Sequence, residues 1–455
     1  MKKMLFSVMS LMLVSSVALT GCSSNPGDAA SPAASKEASE SQAGKPVEIT
    51  FRHALIGERR QKTLDITMQA IKKMEKEVPG LKVKLDGVDG EVNRKDKIRG
   101  EMASGRVPEI FDAFGSPDVK MFAKEGKVLD ITPILTELGI KDKFTNLEAW
   151  TLDGKVYGLP MAAGAEGVYY NKAYFEAKGL KVPQTYDELI TLMEKIKADG
   201  KIPFSGASKS AWIPLMLTNQ IWSRLAGPDV TSKFSTGKAK WTDPAVTEAF
   251  RVHKDWVNQG YFKKAQLGLE YADYNTQFIN GESVMMFDGS WAASLFQEGG
   301  AGVGMASKVG FFNFPSMSKG VGDQTSLMQD MNNGYAFSAD VAKDPQKMAA
   351  VKSFIKNFYT EDMQMQFLVQ MGSLPCMKLD EAKVKASVKD PLLLEIMSVL
   401  LHSTSSYSAF DALVSADVTT EIGTQIQKLI DNKTTPEAAA ASIQKVQDEA
   451  NADAK

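Results

Sequence analysis

Cysteine and histidine are scarce in this chain: its 455 residues hold two cysteines, Cys22 and Cys376, and three histidines, His53, His253 and His402. Two thiols make no disulfide framework, and modification of Cys22 would leave no intramolecular bridge at all. Stability must therefore come from buried apolar surface, with Cys376 as a small hydrophobe inside it. None of the histidines sits in an H-E-x-x-H or other zinc spacing, so no metal is expected. There is no G-x-S-x-G nucleophile elbow and no G-x-x-x-x-G-K-[ST] phosphate loop. The cluster Gly299-Gly300-Ala301-Gly302-Val303-Gly304 lacks dinucleotide-binding spacing and reads as a turn. A formal net charge of −2 leaves no basic excess to neutralise phosphates, which argues against nucleic acid as a partner. The 55 acidic residues allow a glycosidase carboxylate pair by composition, yet no carboxylate motif stands out. The expectation is a protein with no catalytic residue and no cofactor.

What is present begins at the N-terminus. Lys2 and Lys3 precede a mostly apolar run from Met4 to Leu19, too short to span a bilayer comfortably and suited to a secretory signal. The run ends in Leu19-Thr20-Gly21-Cys22, which resembles the lipobox of bacterial lipoproteins, where cleavage precedes the cysteine and the thiol takes the lipid. Residues 23–45 contain no Val, Ile, Leu or aromatic residue and so cannot offset their ordering entropy. The expected organisation is a signal peptide over 1–21, then a lipidated Cys22 and disordered tether over 22–45. The mature protein would be held at the extracellular face of the cell membrane.

About 410 residues remain, enough for two lobes with separate cores. Val47, Ile49 and Phe51 alternate as a strand; Leu64, Met68, Ile71 and Met74 follow at helical spacing until Pro79-Gly80; Leu81, Val83 and Leu85 alternate again. Ile98 and Met102 mark a further helix before a buried strand at Val107-Pro108-Glu109-Ile110-Phe111. This β-α-β-α-β order predicts a parallel sheet covered by helices. Thr185 and Glu188 form a capping box, and Asp243-Pro244, Asp344-Pro345 and Thr435-Pro436 each open a helix. The 23 methionines, including the neighbouring Met363, Met365 and Met371, read as core packing.

Several segments together resemble one family, the family 1 extracellular solute-binding proteins of ABC importers, with the maltose-binding-protein-like fold. They are Gly154-Lys155-Val156-Tyr157-Gly158-Leu159-Pro160; Val168-Tyr169-Tyr170-Asn171-Lys172 with Phe175, Gly179 and Pro183 to Leu189; Phe278 to Met285 followed by Gly289-Ser290-Trp291; and Lys352 to Phe358 with Gly372 and Pro375. They occur in family order and span most of residues 47–378. The resemblance implies an α/β, two-lobed, type II periplasmic-binding-protein-like fold, each lobe a mixed sheet flanked by helices, with a hinge and a ligand cleft. The expected lobes are 46–159 plus 313–372 and 160–312 plus 373–455. It further implies a monomer that closes on a sugar and docks on the membrane permease subunits of an ABC importer. A sensor lipoprotein of the same fold and a secreted glycoside hydrolase remain the alternative readings.

A sugar offers apolar ring faces to aromatic side chains and hydroxyls to planar polar ones. Four stretches combine both. In Phe111-Asp112-Ala113-Phe114-Gly115-Ser116, at the carboxyl end of a parallel strand, the resemblance points to Phe114 and Ser116, with Asp112 as polar partner. In Asp288-Gly289-Ser290-Trp291 it assigns Trp291 the stacking platform, with Asp288 beside it. Glu166 in Gly164-Ala165-Glu166-Gly167 is placed to reach hydroxyls, and Trp212, ending Ser208-Lys209-Ser210-Ala211-Trp212, is a second platform. Weaker candidates are His53 and Arg59 after the first strand, and Asn333 near Asp330 and Asn332. The family's late aromatic platform corresponds to Phe410-Asp411, without a Trp. Trp150, Trp222, Trp241 and Trp256 are assigned to packing.

Overall fold

The computed structural model describes residues 46–115 and 117–453. In chain order the strands are β1 (Val47–His53), β2 (Leu81–Gly87), β3 (Ile110–Phe114), β4 (Thr151–Leu152), β5 (Lys155–Val156), β6 (Gly158–Pro160), β7 (Gly164–Asn171), β8 (Ile202–Phe204), β9 (Ser283–Gly289), β10 (Val309–Phe312), β11 (Leu327–Asp330), β12 (Asn333–Phe337) and β13 (Ser406–Ser408). Apart from the β4–β5 ribbon they build two sheets.

The first sheet has the order β2-β1-β3-β12-β6. The alternating residues of β1 and β2 pair in parallel, Ile49 with Val83 and Phe51 with Leu85, and β12 returns antiparallel between β3 and β6. The intervening helix Gln61–Glu77 turns Ile66, Ala70, Ile71 and Met74 inward. With Phe51, Phe111, Tyr335, Phe337, Phe354 and Phe358 they form one core. Several of its rings meet edge-on, Phe51 and Phe354 at 5.3 Å, and each such buried side chain contributes about 1.5–3 kcal/mol.

The second sheet runs β13-β11-β7-β9-β8, with β10 also on β7. Its core gathers Trp222, Trp241, Trp256, Phe234 and Phe250, all buried, and Trp222 meets Trp241 edge-on at 5.3 Å. Met193, Met285 and Met286 are closed from solvent in the same core, so methionine here is packing material. Cys376 is buried in the first core and its thiol pKa is raised by burial. The capping box at Thr185 and Glu188 forms as the spacing predicts. Asp344 and Asp390 also accept the first free N–H groups of helices that have Pro at the first turn.

The chain passes between the sheets at three places that lie together. Residues 161–163 link β6 to β7, and residues 331–332 link β11 to β12. Residues 373–377 leave the helix Glu361–Met371, where Gly372 takes the left-handed conformation. The three strands are tied by Met161 N–H to Asn333 O (2.9 Å) and Ala163 N–H to Leu374 O (2.7 Å). Trp150 Nε1 donates to Met331 O at 2.8 Å. One difference from the sequence grouping appears here: β11 pairs with β7 and β13, so residues 327–330 stand in the second sheet. The pairing is what places Leu327 and Met328 inside.

Candidate ligand-binding cleft

Beside these crossings the edges of both sheets carry polar and aromatic side chains. On the first, Asp112 of β3 is buried and held by Arg94, whose Nε and Nη2 donate to its two oxygens at 3.1 Å each. Arg94 Nη2 also donates to Asn333 Oδ1 at 2.7 Å. The guanidinium lies 5.1 Å from the centre of the Phe114 ring. Phe114 and Asn333 are register partners, which is why β3 and β12 deliver them to one spot. Phe114 is only half-buried. His53 is close by but shut away, with Nδ1 accepting the Leu55 N–H at 3.2 Å. Burial lowers its pKa, so it is neutral at pH 7.

On the second sheet Trp291 is half-buried and lies flat over two glycines. A Cβ added to Gly289 would stand 2.2 Å from its ring, and one on Gly164 2.9 Å. Only residues without a side chain let the indole descend onto the backbone there. Gly164 pairs with Asp330, and Glu166 is two residues further along the same face of β7. Glu166 is 5% exposed, and its Oε2 has no hydrogen-bond partner. Its pKa is driven well above the usual range by desolvation, then by the charges of Asp330, Asp411 and Asp288. Asp411 is pushed up to about 7 by burial and by Asp330. Asp330 is raised too, chiefly by burial, with the Asn332 N–H and the charge of Arg94 opposing. Asn332 lies between the two, its N–H donating to Asp330 Oδ1 at 2.8 Å and its Nδ2 3.5 Å from Asp411 Oδ1. Its own Oδ1 is buried without a partner.

A third group adjoins these. Asp288 is fully buried, accepting from Tyr271 OH at 2.8 Å and from the Gly289 N–H at 2.7 Å. Tyr271 in turn packs on the half-buried Trp212 at 5.0 Å between ring centres. Asp288 thus orients Tyr271, and both its oxygens are already engaged.

The structure therefore gathers Phe114, Asp112 and Asn333 at one edge, and Trp291 and Glu166 at the other, with Asp288 and Trp212 adjoining. Asp112 and Glu166 stand within the strands β3 and β7. Trp212 is the first residue of a helix. Phe410 is buried against Trp222 at 5.9 Å and serves the second core. Arg59 lies in the turn Glu58–Arg60, with its side chain outside the described set. Ser116 and Cys22 also lie outside the described residues. Sequence reasoning missed Arg94, which sits on an irregular helical stretch, Asn93–Lys97, with no periodic signal. It named Asp330 only as a weaker candidate beside Asn332 and Asn333, and Asp411 only as part of a late platform without a Trp. Among the described residues no three His, Cys, Asp or Glu side chains converge as a metal site, and no helix is long and apolar enough to cross a membrane.

Such an arrangement offers an apolar ring on bare backbone at one sheet edge, a second half-buried ring at the other, and buried polar atoms without partners. The model of a family described as bacterial extracellular solute-binding protein matches residues 69–394. A multiple sugar-binding protein of Streptococcus mutans is 27% identical over 270 residues, 58% of this chain and 62% of that protein. The match thus spans less than two thirds of that relative's length. Among solved structures, a chitin oligosaccharide binding protein is 37% identical with a TM-score of 0.81, covering 90% of this chain and 100% of that one. A maltose-bound protein of T. maritima, 21% identical over 88% of this chain and 99% of its own, shares the fold with a TM-score of 0.70. The two-sheet α/β architecture is accordingly the type II solute-binding fold expected from the sequence.

Proposed function

The chain belongs to the bacterial extracellular solute-binding protein family, and from that premise we propose that it captures a sugar or oligosaccharide for an ABC importer. The two sheets with their cores act as lobes, hinged where residues 161–163, 331–332 and 373–377 cross. The sugar lies between Trp291 on one side and Phe114 on the other. Glu166, Asp330, Asn332 and Asp411 accept hydrogen bonds from its hydroxyls, while Arg94, fixed by Asp112 and Asn333, donates from the facing edge. Trp212 extends the apolar wall by way of Tyr271, which Asp288 holds in place. The protein binds and releases its ligand unchanged and needs no cofactor. It works as a monomer, anchored through lipid on Cys22 after removal of residues 1–21, with 22–45 as the tether, and hands its ligand to the permease subunits.

One observation carries this reading: a half-exposed indole lies on the backbone of Gly289, the register partner of Glu166, and Glu166 Oε2 and Asn332 Oδ1 are both buried without partners. Buried acceptors without donors are costly, at about 1–3 kcal/mol each, and a polyhydroxylated ligand removes that cost while covering the ring. The names of the multiple sugar-binding protein and the chitin oligosaccharide binding protein support the same class.

Thermal unfolding with a panel of oligosaccharides tests the proposal, because a ligand of the folded state alone raises stability by RT ln(1 + [L]/Kd). At a concentration about 100 times Kd the gain is about 2.7 kcal/mol. At least one sugar should raise the melting temperature in a saturable way. A shift with amino acids or peptides and with no sugar would overturn the assignment.

A further inference from the structure

The charges of the cleft do not balance. Arg94 at the facing edge is already held by Asp112 and Asn333. Asp288 is engaged by Tyr271 and its own neighbouring N–H. That leaves Glu166 from β7, Asp330 from β11 and Asp411 from the turn Phe410–Ala412 as three mutually interacting carboxyl groups. Glu166 is more than nine-tenths buried with a bare oxygen, and the bare amide oxygen of Asn332 adjoins the other two. His53 of the first sheet is buried, with its Nδ1 accepting the Leu55 N–H, and desolvation lowers its pKa. The three carboxyls do not converge as a metal site.

We infer that this end of the cleft receives an ammonium group, so that the preferred ligand is an amino sugar with a free amine, such as an oligomer of glucosamine. The inference rests on the sugar-binding reading and narrows its substrate class. A neutral hydroxyl brings one donor and no charge, so it satisfies one bare oxygen and leaves the carboxyl groups holding their protons. An ammonium brings three donors and one positive charge, enough to engage Glu166 and the Asp330–Asn332–Asp411 group together. Charge-assisted hydrogen bonds of this kind are about twice as strong as neutral ones. An acetamide supplies a single N–H and no charge, too little to engage the carboxyl groups together. Because the empty site holds protons that a cation displaces, amine binding also releases protons to the buffer.

The test is calorimetric titration of the full chain at pH 6 with three matched trimers: glucosamine, N-acetylglucosamine and glucose, each β-1,4-linked. The glucosamine trimer should bind at least about tenfold tighter than the glucose trimer. Its apparent heat should also vary with buffer ionisation enthalpy in the sense of proton release. Glu166→Gln should collapse that preference, and Asp411→Asn, which retains size and shape, serves if the first variant does not fold. Equal or tighter binding of the glucose or acetylated trimer would overturn the amine assignment while leaving sugar binding intact. Failure of all three trimers, together with every sugar in the melting panel, would remove the broader reading and this inference with it.

Discussion

Replacing Trp291 by alanine probes the platform most directly. The indole is half-buried and already rests on Gly164 and Gly289, so only its outer face is free for a ligand. A sugar ring covering about 80 Å² of that face, at about 25 cal/mol per Å², gains about 2 kcal/mol. At 1.4 kcal/mol per factor of ten, Trp291→Ala should weaken binding by about 30-fold. The fold should survive, because the ring stands at the rim, with Ala292, Ala293 and Phe296 of the same turn carrying the core contacts. The assay is isothermal titration of wild type and variant with the same sugar, alongside far-ultraviolet circular dichroism and a melting curve. A variant that melts as wild type does and binds within about threefold of it would refute the stacking argument.

Further outcomes follow from the same geometry. Gly289→Ala puts a methyl group where ring atoms now lie 2.2 Å away, well inside the ~3.5–4.0 Å of normal contact; the indole must swing out, and affinity should fall about tenfold, whereas an unchanged affinity would show the ring is not the contact surface. The empty protein should lose stability as pH rises from about 4 to about 7. Asp411, raised to about 7, keeps its proton in the native state after the unfolded chain has released it. Asp411→Asn should flatten that slope in melting curves recorded across the window, and an identical slope would contradict the raised pKa. Arg224 is fully buried and donates to Ser326 O, Phe314 O and Asn313 Oδ1 at 2.9–3.1 Å. Arg224→Met strips donors from those groups and should cost about 3 kcal/mol in denaturant unfolding, with a loss under about 1 kcal/mol counting against it.

Much of the frame was legible because local patterns and tertiary contacts agree. The alternation in β1 and β2, the helical spacing of Leu64 to Met74 and the Pro79-Gly80 stop each recur as folded elements. Trp291 was singled out through the family resemblance of Gly289-Ser290-Trp291, and the structure adds that the indole rests on the backbone of that glycine. The acid cluster was not. Asp330 and Asp411 are 81 residues apart, brought together because β11 and β13 pair in parallel and each leads into a turn. No periodicity in either segment announces that pairing. Arg94 was hidden for a different reason: an irregular helix presents no regular face, so its aim at Asp112 follows only from the tertiary packing. Glu166 lies in a segment flanked by two glycines, Gly164 and Gly167. Those glycines in fact admit the rings of Trp291 and Phe311 against a strand bonded on both sides.

The central claim is that one ligand is gripped from both sheets at once. A crystal structure of the full chain soaked or grown with its tightest-binding oligosaccharide measures this outright. A sugar ring should lie within about 4.5 Å of the Trp291 indole. Hydrogen bonds should reach the same ligand from Glu166 or Asp330 on one side and from the Arg94, Asp112 and Asn333 group on the other. A ligand seated wholly against one sheet, or bound away from Trp291, would contradict the account.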